Sequence, residues 1–180
     1  MSTVQGYMLV GKPGAGKDTA AAFISKHGYD IVRIAEPVYR VCDELLIRYP
    51  TNHAQPHANC AQPHVNTVEN QRSIQKNRWL LRRVGEFMKT KLGESVWVES
   101  ACRRIHSPFV IPDVRFRVEI NALRDKYDDT IRSIRICRDG CSDTNYTESC
   151  LEDFVADFTI YNNGSMESLH EQLSYILRKN

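Results

Sequence analysis

Gly6-Tyr-Met-Leu-Val-Gly-Lys-Pro-Gly-Ala-Gly-Lys-Asp-Thr19 is the stretch that decides the fold. The apolar run Tyr7 to Val10 predicts a buried strand, the glycines at 11, 14 and 16 a curled loop, and Thr19 to Ile24 a helix. Strand, glycine loop and helix, in that order, are the context a phosphate-binding loop requires. Its backbone N–H groups turn inward at phosphate oxygens, and the helix N-terminus adds its positive dipole end. Gly11 to Lys17 fits the spacing G-x-x-x-x-G-K, which places Lys17 on the β- and γ-phosphates of a nucleotide. The next position departs from the common pattern, with Asp18 in place of the Ser or Thr that binds magnesium. A carboxylate there either holds magnesium through a water, which suits an ion that keeps several waters, or caps the helix start.

Outward from the loop, the first helix is predicted to end near Lys26-His27, with Gly28 as its stop. Tyr29 to Ala35 predicts a strand buried on both faces, and Glu36-Pro37 opens a helix with Val38, Val41, Cys42, Leu45 and Leu46 on one stripe. Residues 51–77 are polar and hold a near-repeat, Ala54-Gln-Pro-His-Ala-Asn-Cys60 followed by Ala61-Gln-Pro-His-Val-Asn-Thr67. Its histidines and Cys60 do not have zinc spacing, so a mobile loop is predicted. Arg78 to Leu92 predicts a helix stopped by Gly93, and a second helix carries Trp97, Val98, Ala101, Cys102 and Ile105. Phe109 to Asp113 reads as a short strand that delivers a carboxylate at its end.

A helix over 117–127, a strand from Thr130 to Arg138, a polar loop to Thr147 and a short helix from Glu148 to Val155 follow. A last strand, Phe158 to Tyr161, leads through the turn Asn162-Asn163-Gly164 to a helix capped by Ser165. Five strands alternating with helices predict an α/β fold of three layers: a five-stranded parallel sheet with helices on both faces, built on the P-loop, with a small lid and an acceptor-side helical insert. The 180 residues are expected to form a single domain, 1–180, with an acceptor-side region at about 36–106 and a lid at about 138–150. Ligands of such sheets sit at the carboxyl ends of the strands, where Gly11, Glu36, Asp113, Arg138 and Asn162 fall.

A net charge of +2 with scattered basic residues argues against a nucleic-acid lattice and for a small phosphate-bearing molecule. No apolar run reaches membrane-spanning length, and the N-terminus has no signal-peptide pattern. The six cysteines lack C-x-x-C pairing, so reduced thiols in the cytoplasm are expected.

Several segments, in order, resemble the deoxynucleoside monophosphate kinases of phages and some bacteria, P-loop kinases related to dephospho-CoA kinase and phosphomevalonate kinase. They are Gly16-Lys-Asp-Thr19; Ala35-Glu-Pro37 with Arg40; Arg78-Trp-Leu-Leu81 with Gly85, then Trp97-Val98; Ile111-Pro-Asp-Val-Arg-Phe116 with Glu119; Asp143-Thr-Asn-Tyr-Thr-Glu148; and Ala156-Asp-Phe158 with Asn162-Asn-Gly-Ser165. The resemblance covers most of the chain and fails in 51–77. It implies transfer of the ATP γ-phosphate to a deoxynucleoside monophosphate, with ATP and Mg2+ as cofactors and a small-molecule nucleotide monophosphate as partner. A reaction like that of dephospho-CoA kinase, or an ATP-binding regulatory module, are the alternatives. No membrane or nucleic-acid partner is expected, and a homodimer is left open.

Phosphoryl transfer asks the protein chiefly for positioning and charge. Gly11, Gly14, Ala15, Gly16, Lys17, Asp18 and Thr19 are the candidate ATP site, with Asn163 and Gly164 in the turn that relatives set against adenine. Asp18 and Asp113 are the magnesium candidates, through water. Glu36, Arg40, Arg78, Arg115 and Glu119 are the acceptor candidates; guanidinium forks suit phosphate, while either glutamate could instead partner arginines. Arg138 opens the lid and is placed to reach the transferring group, with Arg132 and Arg135 weaker choices. Cys137, Cys141 and Cys150 flank the lid without a convincing fourth zinc ligand.

Overall fold

The computed structural model describes residues 4–48, 78–141, 151 and 153–179. Its elements run β1 (Gly6–Val10), α1 (Lys17–Ser25), β2 (Asp30–Ile31), α2 (Glu36–Arg48), α3 (Arg78–Leu92), α4 (Val96–Cys102), β3 (Phe109–Ile111), α5 (Arg117–Tyr127), β4 (Ile131–Cys137), β5 (Phe158–Tyr161) and α6 (Met166–Lys179). The five strands form one sheet in the order β2-β3-β1-β4-β5, and every pairing is parallel.

β1 is central because it is apolar on both faces. Its neighbours are β3, with Tyr7 opposite Val110, and β4, with Leu9 opposite Ile134. Successive side chains point to opposite faces. Met8 and Val10 join Phe109 and Ile111 under Val38 of α2, Trp97 and Ala101 of α4, and Ile120 and Leu123 of α5. Tyr7 and Leu9 join Val110, Ile134, Ile136 and Ile160 under Ala20 and Ile24 of α1 and Leu169 and Leu173 of α6. The two layers follow from handedness. β1 to β2 runs one way along the sheet and β3 to β4 the other, so right-handed crossovers put α1 and α5 on opposite faces.

The bounds of α3 and α5 are those predicted, and α4 ends at Cys102, before Ile105. Two predicted elements need correction. The strand from Tyr29 to Ala35 shrinks to Asp30–Ile31, and both residues are exposed. Among the described residues, β2 lies at the sheet edge and pairs with β3 alone, so no second strand there covers it. The predicted helix to Val155 is a turn where it is described, because Arg135 takes the carbonyls of Leu151 (2.7 Å) and Phe154 (2.5 Å). Arg135 thereby braces that turn against β4. The polar segment 51–77 and residues 142–150 of the lid lie outside the described residues. Among those described, no helix is long and apolar enough to cross a membrane.

Candidate active site

The connections leaving β1 and β3 diverge between these neighbouring strands, which opens a crevice at their carboxyl ends. The glycine loop follows β1 on one side of it, and Asp113 follows β3 on the other. The loop is possible only with glycine at two close approaches. Gly11 has φ +147°, and a Cβ there would lie 2.3 Å from the Ile136 carbonyl oxygen. Gly16 has φ +104°, and a Cβ there would lie 2.4 Å from Asn162 Nδ2. A side chain at either position would collide with these packed neighbours and force the loop out of its curl. The Lys17 ammonium folds back over the loop, donating to the carbonyls of Gly11 (2.5 Å) and Lys12 (2.8 Å). Ala15, between the glycines, is fully buried, while Asp18 and Thr19 stand exposed at the start of α1.

Asn162 joins the loop to the far side of the sheet. It is the first residue after β5; its backbone N–H donates to Cys137 (2.7 Å) and its side-chain amide to the Ala15 carbonyl (2.8 Å). Asn163 is paired both ways with Asp139: its Oδ1 accepts the Asp139 N–H, and its Nδ2 donates to the Asp139 carboxylate, both at 2.8 Å. Gly164 is exposed beside it. Arg138 is exposed next to this clasp, at the end of β4.

Across the crevice, the two oxygens of Asp113 accept the backbone N–H groups of Ile34 and Ala35, each at 3.0 Å. That carboxylate fixes the turn between β2 and α2. Arg104, just after α4, holds the same turn from the other side. It donates to the Arg33 carbonyl (2.7 Å) and forms a short ion pair with Glu36. Glu36 also takes Arg40 at 2.5 Å. Burial alone would raise the Glu36 carboxyl; the Arg104 and Arg40 guanidiniums outweigh it and hold it below the usual carboxylate range. The Arg33 guanidinium crosses to the loop side and meets the Asp18 carboxylate at 2.8 Å.

The remaining acceptor candidates separate. Arg40 and Arg115 present exposed guanidiniums, whereas the side chain of Arg78 lies outside the described residues. Glu119 is 5% exposed and caps α5: its Oε2 accepts the N–H groups of Arg115 (2.8 Å) and Phe116 (3.0 Å). Burial pushes its carboxyl up, against the pull of those two amides and of Lys89. This placement gives no support to contact with an acceptor sugar or base. Arg132 is bonded to the Asp129 carbonyl (2.8 Å), back at the start of β4. Sequence reasoning missed Arg33 and Arg104; it placed Asn162 at a strand end but did not foresee its bond to the glycine loop. Neither arginine gave a signal: Arg33 lies in the turn between β2 and α2, and Arg104 lies past the end of α4.

No family model and no curated protein matches the chain. Solved structures with a similar fold include the dephospho-CoA kinase from Campylobacter jejuni, at TM-score 0.51 and 11% identity, covering 98% of this chain and 97% of that one. A gluconokinase from Sinorhizobium meliloti is at TM-score 0.49 and 10% identity, covering 99% and 97%. At 11% identity the likeness to the dephospho-CoA kinase is one of fold, the α/β P-loop fold.

Proposed function

We propose that this chain is an ATP-dependent phosphotransferase that moves the γ-phosphate of ATP to a nucleoside monophosphate, with a deoxynucleotide as the favoured acceptor. The observation that carries the reading is the pairing of two differently built sides of one crevice. A glycine cradle with a lysine at its mouth lies on one side, and a turn and helix start carrying Arg33 and Arg40, braced by Arg104 from the end of α4, lie on the other. A switch protein needs only the first.

The amides of the loop and the Lys17 ammonium suit the donor's phosphates. The cradle fits a polyphosphate because glycines at 11, 14 and 16, all with positive φ, let successive backbone N–H groups turn toward one anion. Magnesium, when bound with ATP, neutralises phosphate charge. Asp18, exposed at the start of α1, is placed to hold its water shell. Asp113 keeps acceptor capacity there too, since a carboxylate offers about four lone-pair sites and two backbone bonds use half of them. Arg40, Arg115 and Arg78 are the acceptor-phosphate candidates, and Arg138 is the candidate for the transferring group. Transfer breaks the bond between the γ-phosphorus and its bridging oxygen and forms one to an oxygen of the acceptor's phosphate, leaving ADP. The exposed Gly164 beside the Asn163–Asp139 clasp suits the flat face of the donor's base.

The test is ADP release from ATP and magnesium, measured over the deoxynucleoside and ribonucleoside monophosphates and dephospho-CoA. ADP that depends on a deoxynucleotide supports the reading. Dependence on dephospho-CoA alone moves the acceptor to a hydroxyl, and ATP binding with no acceptor-dependent ADP leaves a regulatory module.

A further inference from the structure

The contact between Asp18 and Arg33 links the two sides of the crevice, and its construction is uneven. The Arg33 main chain is fixed: Arg104 holds its carbonyl, and Asp113 holds the next two amides. Its guanidinium forms an ion pair with Asp18, with side chains 43% and 77% exposed. Such exposed pairs are weak and easily exchanged. Arg104, by contrast, is committed to Glu36, to the Arg33 carbonyl and to the Ser100 carbonyl. Arg33 therefore combines an anchored stem with a releasable head.

Asp18 is also the residue that the donor's metal would engage, if the reading of the loop as a nucleotide site holds, and on that reading this inference rests. One carboxylate serves poorly as both an outer-shell magnesium ligand and an arginine partner. We propose that Asp18 and Arg33 form an exchange contact between the two phosphate sites. Without donor, Asp18 holds the Arg33 guanidinium. With donor and magnesium bound, Asp18 turns to the metal's water and Arg33 is released to the acceptor's phosphate, whose oxygens match its fork. Donor and acceptor then bind with positive coupling, and linkage makes that coupling reciprocal.

The probe is inorganic phosphate, titrated against isotope-labelled protein by NMR shift, so that the acceptor's identity does not enter. In protein saturated with magnesium and a non-hydrolysable ATP analogue, Arg33→Ala should weaken phosphate binding about 5-fold or more, with Arg33→Lys intermediate. Without donor, Asp18→Asn should tighten phosphate binding by a similar factor, because Arg33 is freed. That gain should vanish in the Arg33→Ala background. A gain that persists there means Asp18 merely repels phosphate at the loop, and overturns the proposal. Equal phosphate affinity of wild type and Arg33→Ala in the donor-loaded state overturns it as well. The phosphate titration is independent of the ADP assay, so loss of the kinase reading and loss of the exchange contact are separately visible.

Discussion

Asp113 and Ala35 are joined by a hydrogen bond from the Ala35 N–H to Asp113 Oδ2 at 3.0 Å, while Oδ1 takes the Ile34 N–H at the same distance. One acid at the end of β3 thus sets the entry of α2, where the acceptor candidates begin. In Asp113→Asn one of the two acceptors becomes an NH2 group facing another donor. A part-buried N–H left without its partner costs about 1–3 kcal/mol. The expected outcome is a lower melting temperature and a raised KM for the acceptor. If Asp113 also orders magnesium's water, kcat falls too and recovers in part at high magnesium. Steady-state kinetics at several magnesium concentrations separates the two roles.

Lys17→Ala removes the cation at the mouth of the cradle and leaves the Gly11 and Lys12 carbonyls to water. The fold should persist, because the loop is shaped by its glycines and held by Asn162. Turnover should fall by at least about 10²-fold, as for a lost group that stabilises developing charge. Circular dichroism and ADP release check the two halves. A folded variant with near-normal turnover removes Lys17 from the chemistry.

Asn162→Ala deletes the donor to a carbonyl in the buried part of the loop and should cost about 1–3 kcal/mol of stability. ATP binding should weaken with it. Asn162→Asp should be worse than alanine, since it sets a negative charge against the Ala15 carbonyl. Thermal melts and nucleotide titration of both variants give the ranking, and the reverse order means the contact does not hold the loop.

Glu119 makes a prediction about pH. Its folded carboxyl is raised by burial above its value of 4.5 in the unfolded chain. The folded state therefore keeps the proton longer, and stability falls as pH rises from the unfolded value through the folded one. Glu119→Gln keeps an oxygen for the Arg115 and Phe116 amides and removes the charge. Its melting temperature relative to wild type should shift in its favour as pH is raised through that window. A difference that does not vary with pH contradicts this account.

Local signals in the sequence carried most of the fold. α3 has an apolar stripe from Leu80 to Leu92 and a glycine stop, so both of its ends were legible. β2 was not, because an apolar run does not tell an edge strand from an interior one; that depends on which strands lie beside it. Glu119 looked like a spare acid because a capping glutamate is recognised by a Ser or Thr three residues earlier, and Phe116 stands there. The glycine loop was legible because its chemistry is contiguous. The opposite side was legible only in part: Arg33 meets Asp18 from 15 residues away, and Arg104 meets Glu36 from 68 away. No period or spacing announces such pairs, which exist only once the chain is folded.

The bond from Asn162 to Ala15 spans 147 positions of the chain. Contacts of that separation form late, since the ends of a long loop must first be brought together against chain entropy. During synthesis, β1 and the glycine loop emerge well before β5, yet their clasp waits for it. A nascent chain halted before Tyr161 would carry the whole nucleotide motif in its sequence and lack the contact that shapes it. The held form of the glycine loop is therefore acquired only once β5 has joined the sheet.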